Sequence, residues 1–323
     1  AVEAYDMESL TADIAGLAEA LSPAAPAVVV GHDWGAPIAW NTARLHADRF
    51  RAVAGLSVPY VPPGDVVFID AARTFFTERG LFFYQVYFQD EGPPEAELEA
   101  DPAETIRKFY YAISGDAPEG TWPVDKKHGD TLLHRLPEPD MPLPWLSDED
   151  VAYYDAQFRQ SGFRGPLNRY RNWHRDHASL KRHPSSAVIA QPSLYIGGTK
   201  DLVLKMYPGD MVAAMKKSLG DLRGAPDQAT QQRHVPLLHV IQRRDVPAGD
   251  DEHMERRLRI DVLERQQLVV LVDDLRGDLA VGDLAEQTVV GHVWPRYAPP
   301  RRITAARGIP RRSLRISTSV SSG

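Results

Sequence analysis

The sequence predicts an α/β fold, a parallel sheet flanked by helices and interrupted by a long helical insertion. Three observations predict it. Short apolar, β-branched runs alternate with helix-patterned stretches up to residue 59; that rhythm stops from residue 60 to 185; and it resumes with another apolar run at Pro192–Gly198.

The elements follow in order. Leu10, Ile14, Leu17 and Leu21 recur at helical spacing over residues 7–21, with Asp6 where an N-cap belongs and the Pro-rich link Ser22–Pro26 as the stop. Ala27–Val30 reads as a strand buried on both faces, Ile38–Leu45 as a helix, and Arg51–Val58 as a second buried strand, closed by Pro59 and the pair Pro62-Pro63. Within the insertion, helices are expected over 67–78, 101–114 and 149–160, separated by Pro-rich loops such as Pro137–Pro144. A helix near 208–218 follows the late strand. The expected organisation is a first core part over 1–59, a helical lid over 60–185, a second core part over 186–225 and a divergent, poorly packed or disordered tail over 226–323. The tail is set apart by composition: all ten Phe and all eight Lys precede it, whereas its 98 residues hold fifteen Arg.

Composition narrows the function. A net charge of -7 supplies no electrostatic reason to bind nucleic acid or an anionic membrane. The chain has no cysteine, which excludes disulfides and thiolate metal sites and suits a reducing, cytoplasmic location. No apolar run approaches the ~20 residues that span a bilayer. The acidic stretch Ala1–Asp6 does not look like a signal peptide.

The chemistry concentrates in Val28-Val29-Val30-Gly31-His32-Asp33-Trp34-Gly35, where Asp33 occupies the middle of a G-x-D-x-G turn between a buried strand and an apolar helix. A strand that reverses into a helix so abruptly needs small residues where backbones nearly touch. The middle side chain stands above the sheet at a helix N-terminus, which favours negative charge. A carboxylate there is a nucleophile able to form an ester with an alkylating substrate. A surface turn is the plain alternative.

Gly31-His32-Asp33-Trp34-Gly35 resembles the nucleophile motif of epoxide hydrolases and haloalkane dehalogenases of the α/β-hydrolase fold. Two segments of the insertion resemble epoxide hydrolases in particular: Tyr84-Gln85-Val86-Tyr87-Phe88-Gln89, and Gly162-Phe163-Arg164-Gly165-Pro166-Leu167-Asn168-Arg169-Tyr170-Arg171-Asn172. The resemblance implies that Tyr84 and Tyr170 hold the epoxide oxygen. A positioned phenol suits that role, because ring opening develops alkoxide charge. Both tyrosines could instead be amphipathic packing residues, the reading preferred for Tyr87. Tyr195-Ile196-Gly197-Gly198-Thr199-Lys200-Asp201 resembles the segment carrying the charge-relay acid, which makes Asp201 either that relay or an N-cap. The backbone N–H of Trp34 is the expected oxyanion donor, and His32 is expected to serve the turn.

The resemblance also implies a Gly-His-Trp base about 30 residues after Asp201, and a His-Gly-x-Pro loop with further strands before the elbow; neither motif occurs in the sequence. Gln228 falls where the catalytic histidine belongs. His234 and His292 are the alternative bases, and His234 has the better spacing. The chain therefore reads as truncated at the front and divergent after about residue 225, with the strand 27–30 open on one side. The implied activity is hydrolysis of a small apolar epoxide by water, with no metal or organic cofactor, and turnover depends on the missing base. The alternatives are a non-catalytic remnant that binds apolar ligands and a haloalkane dehalogenase.

Overall fold

The structure is a computed structural model that describes residues 1–183, 188–198, 200–207, 209–224, 268–272 and 288–292. Helix α1 (Met7–Leu21) starts at Asp6, whose carboxylate accepts from the Ser9 N–H at 2.8 Å, and it buries Leu10, Ile14 and Ala18. Strand β1 (Ala27–His32), helix α2 (Gly35–Leu45) and strand β2 (Phe50–Leu56) follow. The next strand, β3 (Ile189–Ile196), comes only after seven helices. These are α3 (Phe68–Phe76), α4 (Tyr84–Tyr87), α5 (Pro93–Ala100), α6 (Pro102–Ile113), α7 (Asp148–Ser161), α8 (Arg164–Tyr170) and α9 (Trp173–Lys181). Two short helices, α10 (Leu202–Lys205) and α11 (Met211–Met215), lead to strand β4 (Leu219–Gly224). Strands β5 (Leu268–Val272) and β6 (Thr288–His292) complete the sheet.

The sheet order is β4-β3-β2-β1-β5-β6. Strands β1 to β4 are parallel where they pair, as the buried apolar runs predict. Strand β5 runs antiparallel to β1, opposing Val29 to Leu271, and β6 runs antiparallel to β5. β1 is therefore paired on both sides, which corrects the expectation of an open edge at 27–30. The rest of the tail, with Gln228 and His234, lies outside the described residues; His292 ends β6, of which the backbone alone is described.

Sheet and flanking helices share an aliphatic core built from Leu10, Ile14, Val29, Ile38, Val53 and Ile189 around the fully buried Trp40. Trp40 fits because Gly55 faces it: a Cβ there would stand 2.1 Å from the indole ring. The helices between β2 and β3 enclose a second, aromatic core containing Trp34, Phe88, Tyr154, Phe158, Phe163 and Tyr170. Among the described residues no helix is long and apolar enough to cross a membrane.

Candidate active site

At the end of β1 the chain turns into α2 within Asp33 and Trp34. A Cβ on Gly31 would meet the Gly35 carbonyl oxygen at 1.9 Å, so the turn admits only glycine there. Asp33 has φ 51°, left-handed backbone that typically costs about 1–3 kcal/mol for a non-glycine residue. The surroundings hold it in place: its N–H donates to the Leu56 carbonyl at 3.2 Å, and its carbonyl accepts from the Ala36 N–H at 2.9 Å. The Trp34 backbone N–H donates to Asp33 Oδ1 at 2.7 Å. Burial raises the Asp33 carboxyl above its ordinary value; the His32 imidazole and the Trp34 N–H oppose the shift, and the Asp201 charge adds to it.

Tyr84, at the start of α4, and Tyr170, at the end of α8, meet each other within electrostatic reach of this carboxyl. Their rings are 6.0 Å apart and nearly perpendicular. Burial pushes both phenols above the ordinary tyrosine range, and the charge of Asp33 pushes each further. Tyr207 belongs to the same neighbourhood: burial, then Asp33, raises it to about 12. The Tyr84 hydroxyl accepts a hydrogen bond from Gln85 Nε2 at 2.8 Å. The Trp34 and Tyr170 rings meet edge to face at 5.2 Å. Tyr87 points elsewhere, donating to Glu97 Oε2 at 3.0 Å.

Trp34 is itself fixed on two sides. Trp173 lies 5.3 Å away, and the Arg169 guanidinium sits 4.6 Å from the indole centroid. Arg169 is almost fully buried and bonds the Asp176 carboxylate and the Tyr5 carbonyl. Asp176 also accepts from the Met7 N–H at 2.7 Å. Burial raises the Asp176 carboxyl against the opposing pull of Arg169. This buried pair joins the N-terminal segment to the helices that carry Tyr170.

Asp201 is the N-cap of α10, accepting from the Val203 N–H at 2.9 Å. Its charge also reaches Asp33 and Tyr195. The structure thus brings together Asp33, Trp34, Tyr84, Tyr170 and Asp201, while His234 is outside the described residues. Sequence reasoning missed Gln85, Gln89, Arg169, Trp173 and Tyr207. The usable signal was adjacency, since Gln85 and Arg169 directly flank the two tyrosines.

The alpha/beta hydrolase fold family matches residues 2–218. The chain belongs to the α/β-hydrolase fold family. Among its relatives, this α/β-hydrolase is 42% identical over 217 residues to epoxide hydrolase A of Mycobacterium tuberculosis, covering 66% of this chain and 65% of that protein. It is 40% identical over 201 residues to an epoxide hydrolase of Caballeronia sordidicola, covering 61% and 58%. The chain therefore spans less than two thirds of either relative. In three dimensions it is similar to the crystal structure of epoxide hydrolase A from Mycobacterium thermoresistibile, with TM-score 0.64, 37% identity and 75% of each chain covered. An epoxide hydrolase from an endophytic Streptomyces gives TM-score 0.63 at 38% identity, covering 70% of this chain and 67% of that one.

Proposed function

We propose that this α/β-hydrolase opens small apolar epoxides, with Asp33 as nucleophile and Tyr84 and Tyr170 as the groups that hold and protonate the epoxide oxygen. One observation carries the reading: two buried phenols packed against each other lie within electrostatic reach of a buried carboxyl whose backbone is held in a left-handed turn. An Asp33 oxygen attacks an epoxide carbon, and the C–O bond breaks toward the ring oxygen. A tyrosine proton satisfies that oxygen, leaving a hydroxyalkyl ester on Asp33. The 2.7 Å bond from the Trp34 N–H to Oδ1 divides the work between the carboxylate oxygens. Oδ2 attacks, and Oδ1 becomes the ester carbonyl oxygen, already seated on the donor that stabilises the oxyanion of hydrolysis. The helices between β2 and β3 act as a lid that presents both tyrosines.

Release of the diol needs water activated by a base, with Asp201 as the charge relay and His234 as the candidate base. Alkylation has all its groups, whereas hydrolysis rests on His234 or, failing it, His292. Loss of a triad member costs about 10⁴ to 10⁶ in rate, so without a base the chain traps one epoxide per molecule.

The test is a mass spectrum after exposure to styrene oxide. One covalent adduct on the peptide carrying Asp33 is expected, and none on an Asp33→Asn variant. Rapid multiple-turnover diol formation would show that a base reaches the ester. Absence of any adduct or diol would leave the non-catalytic remnant as the better reading.

A further inference from the structure

Beside the nucleophile and the two phenols stands a side chain whose placement packing does not explain. Gln85 is 9% exposed, and its neighbour Tyr84 packs against the aromatic cluster. Its amide donates to the Tyr84 hydroxyl at 2.8 Å, while its amide oxygen is buried and meets no hydrogen-bond partner among the described residues. A residue that served only to fill space would be apolar here, since an orphaned buried carbonyl is destabilising. Gln85 is in turn held from behind. The Gln89 side-chain amide donates to the Gln85 main-chain carbonyl at 2.7 Å and to the Tyr170 main-chain carbonyl at 2.9 Å, tying the backbone of α4 to the end of α8.

We infer that Gln85 is a positioning residue that makes Tyr84 the proton donor of ring opening, with Gln89 anchoring the backbone from which Gln85 projects. This rests on the function proposed above. A phenol oxygen that accepts an N–H has that lone pair occupied, so its own O–H is left for the epoxide oxygen. No acceptor for the Tyr84 O–H is recorded among the described residues, which leaves its proton uncommitted. When the epoxide C–O bond breaks, the Tyr84 proton moves to the departing oxygen and Tyr84 becomes a phenolate. The Gln85 N–H then faces a charged acceptor, and a hydrogen bond to a charged group is about twice as strong. Gln85 therefore stabilises the transition state more than the resting enzyme, the condition for raising a rate. The opposite amide orientation would draw the Tyr84 proton into the Gln85 oxygen and away from substrate.

The experiment measures the rate of styrene oxide adduct formation in the full chain, against pH, with thermal melts of every variant. Gln85→Met keeps the volume and deletes the donor; it is expected to slow the adduct by about 10- to 100-fold. In a Tyr84→Phe background the same change is expected to have no further effect. Gln85→Glu keeps the shape and reverses the polarity at high pH. Its protonated carboxyl can donate to the phenol, whereas its carboxylate only accepts. The adduct rate of that variant is expected to fall as pH rises, a limb that Gln85→Met and the unaltered chain do not have. A packing role would produce no such limb. Equal rates for Gln85→Met and the unaltered chain, or an undiminished loss in the Tyr84→Phe background, would overturn the inference. Because the double-substitution comparison is made within folded protein, a lowered melt does not rescue it. Failure of the unaltered chain to form any adduct or diol overturns the proposed function and this inference with it; adduct or diol formation that is indifferent to Gln85 overturns this inference alone.

Discussion

Around the sheet, Ile14, Val29, Ile38, Val53 and Ile189 are fully buried, their branched side chains packed on one another and on Trp40. Around Tyr84 and Tyr170 the burial is of another kind. Aromatic rings meet at 5–6 Å, and polar atoms are enclosed with them. Gln85 Oε1, Trp173 Nε1 and Arg169 Nε have no hydrogen-bond partner among the described residues. Thr42 Oγ1 beside the sheet is also without a partner, and each such atom costs about 1–3 kcal/mol when unsatisfied. What sets the helical region apart is that its enclosed polar atoms lie among packed aromatic rings. The sheet supplies rigidity and the strained turn at Asp33; the helical segment gives up some stability to place polar groups over it.

The sharpest way to break this contrast is to cut each region where it is tightest. Trp40→Ala removes a fully buried indole and its 3.1 Å hydrogen bond to the Val58 carbonyl. A stability loss of about 3–5 kcal/mol is expected in chemical denaturation, with the adduct rate per folded molecule little changed. The pair Tyr84→Phe and Tyr170→Phe should invert the pattern. Removing both hydroxyls from an otherwise intact cluster is expected to slow adduct formation by about 10² to 10⁴, while the melting temperature moves by a few degrees at most. If the tyrosine pair costs more stability than Trp40, the two regions do not divide the labour this way.

A sequence could show the scaffold more readily than the site. The strands at 27–32 and 50–56 are apolar runs with no competing period, and the Asp6 cap stands where the helical pattern begins. β4 escaped notice because Leu219–Gly224 mixes two glycines, an acid and a base into six residues at the sheet's edge. α8 and α9 are polar by composition; α8 was visible only as part of a motif and α9 was not foreseen, and the buried Arg169–Asp176 pair that joins them is announced by no periodicity. The partnership of β1 with β5 joins residues more than 200 positions apart, so local pattern could not foresee it. Gln85 was hidden for the opposite reason. Its amide folds back onto the neighbouring tyrosine, a contact between adjacent residues that helical spacing rules do not consider.

A third measurement sharpens the electrostatic side of the comparison. The proposed alkylation needs the Asp33 carboxylate, and burial holds that carboxyl above its ordinary value of 3.8. The adduct rate should therefore rise with pH along a limb displaced above the usual carboxylate range. Asp201 contributes to the displacement through its charge. Asp201→Asn keeps an N-cap for α10, since asparagine caps as well as aspartate, yet removes the charge. The limb should shift to lower pH with the helix intact. A limb that stays put would mean that burial alone sets the Asp33 carboxyl.

The smallest expected effect is the most direct on strain. The folded chain binds the Asp33 proton more tightly than the unfolded chain does, because burial raises the folded value. Stability from this group is thus complete below the ordinary value and declines as pH rises through the raised one. At neutral pH the Asp33 charge is a liability to folding, which the proposed nucleophile role accounts for. Asp33→Asn removes the charge and puts a residue that tolerates φ 51° into the turn. It should melt higher than the unaltered chain at neutral pH, by about 1 kcal/mol, and the advantage should narrow as pH falls toward the ordinary carboxylate range. The part that survives at low pH measures backbone strain, and the part that vanishes measures the buried charge. A variant that melts lower at every pH would show that the Asp33 carboxylate stabilises the turn through its bond from the Trp34 N–H, and that the left-handed turn carries no stored cost for function.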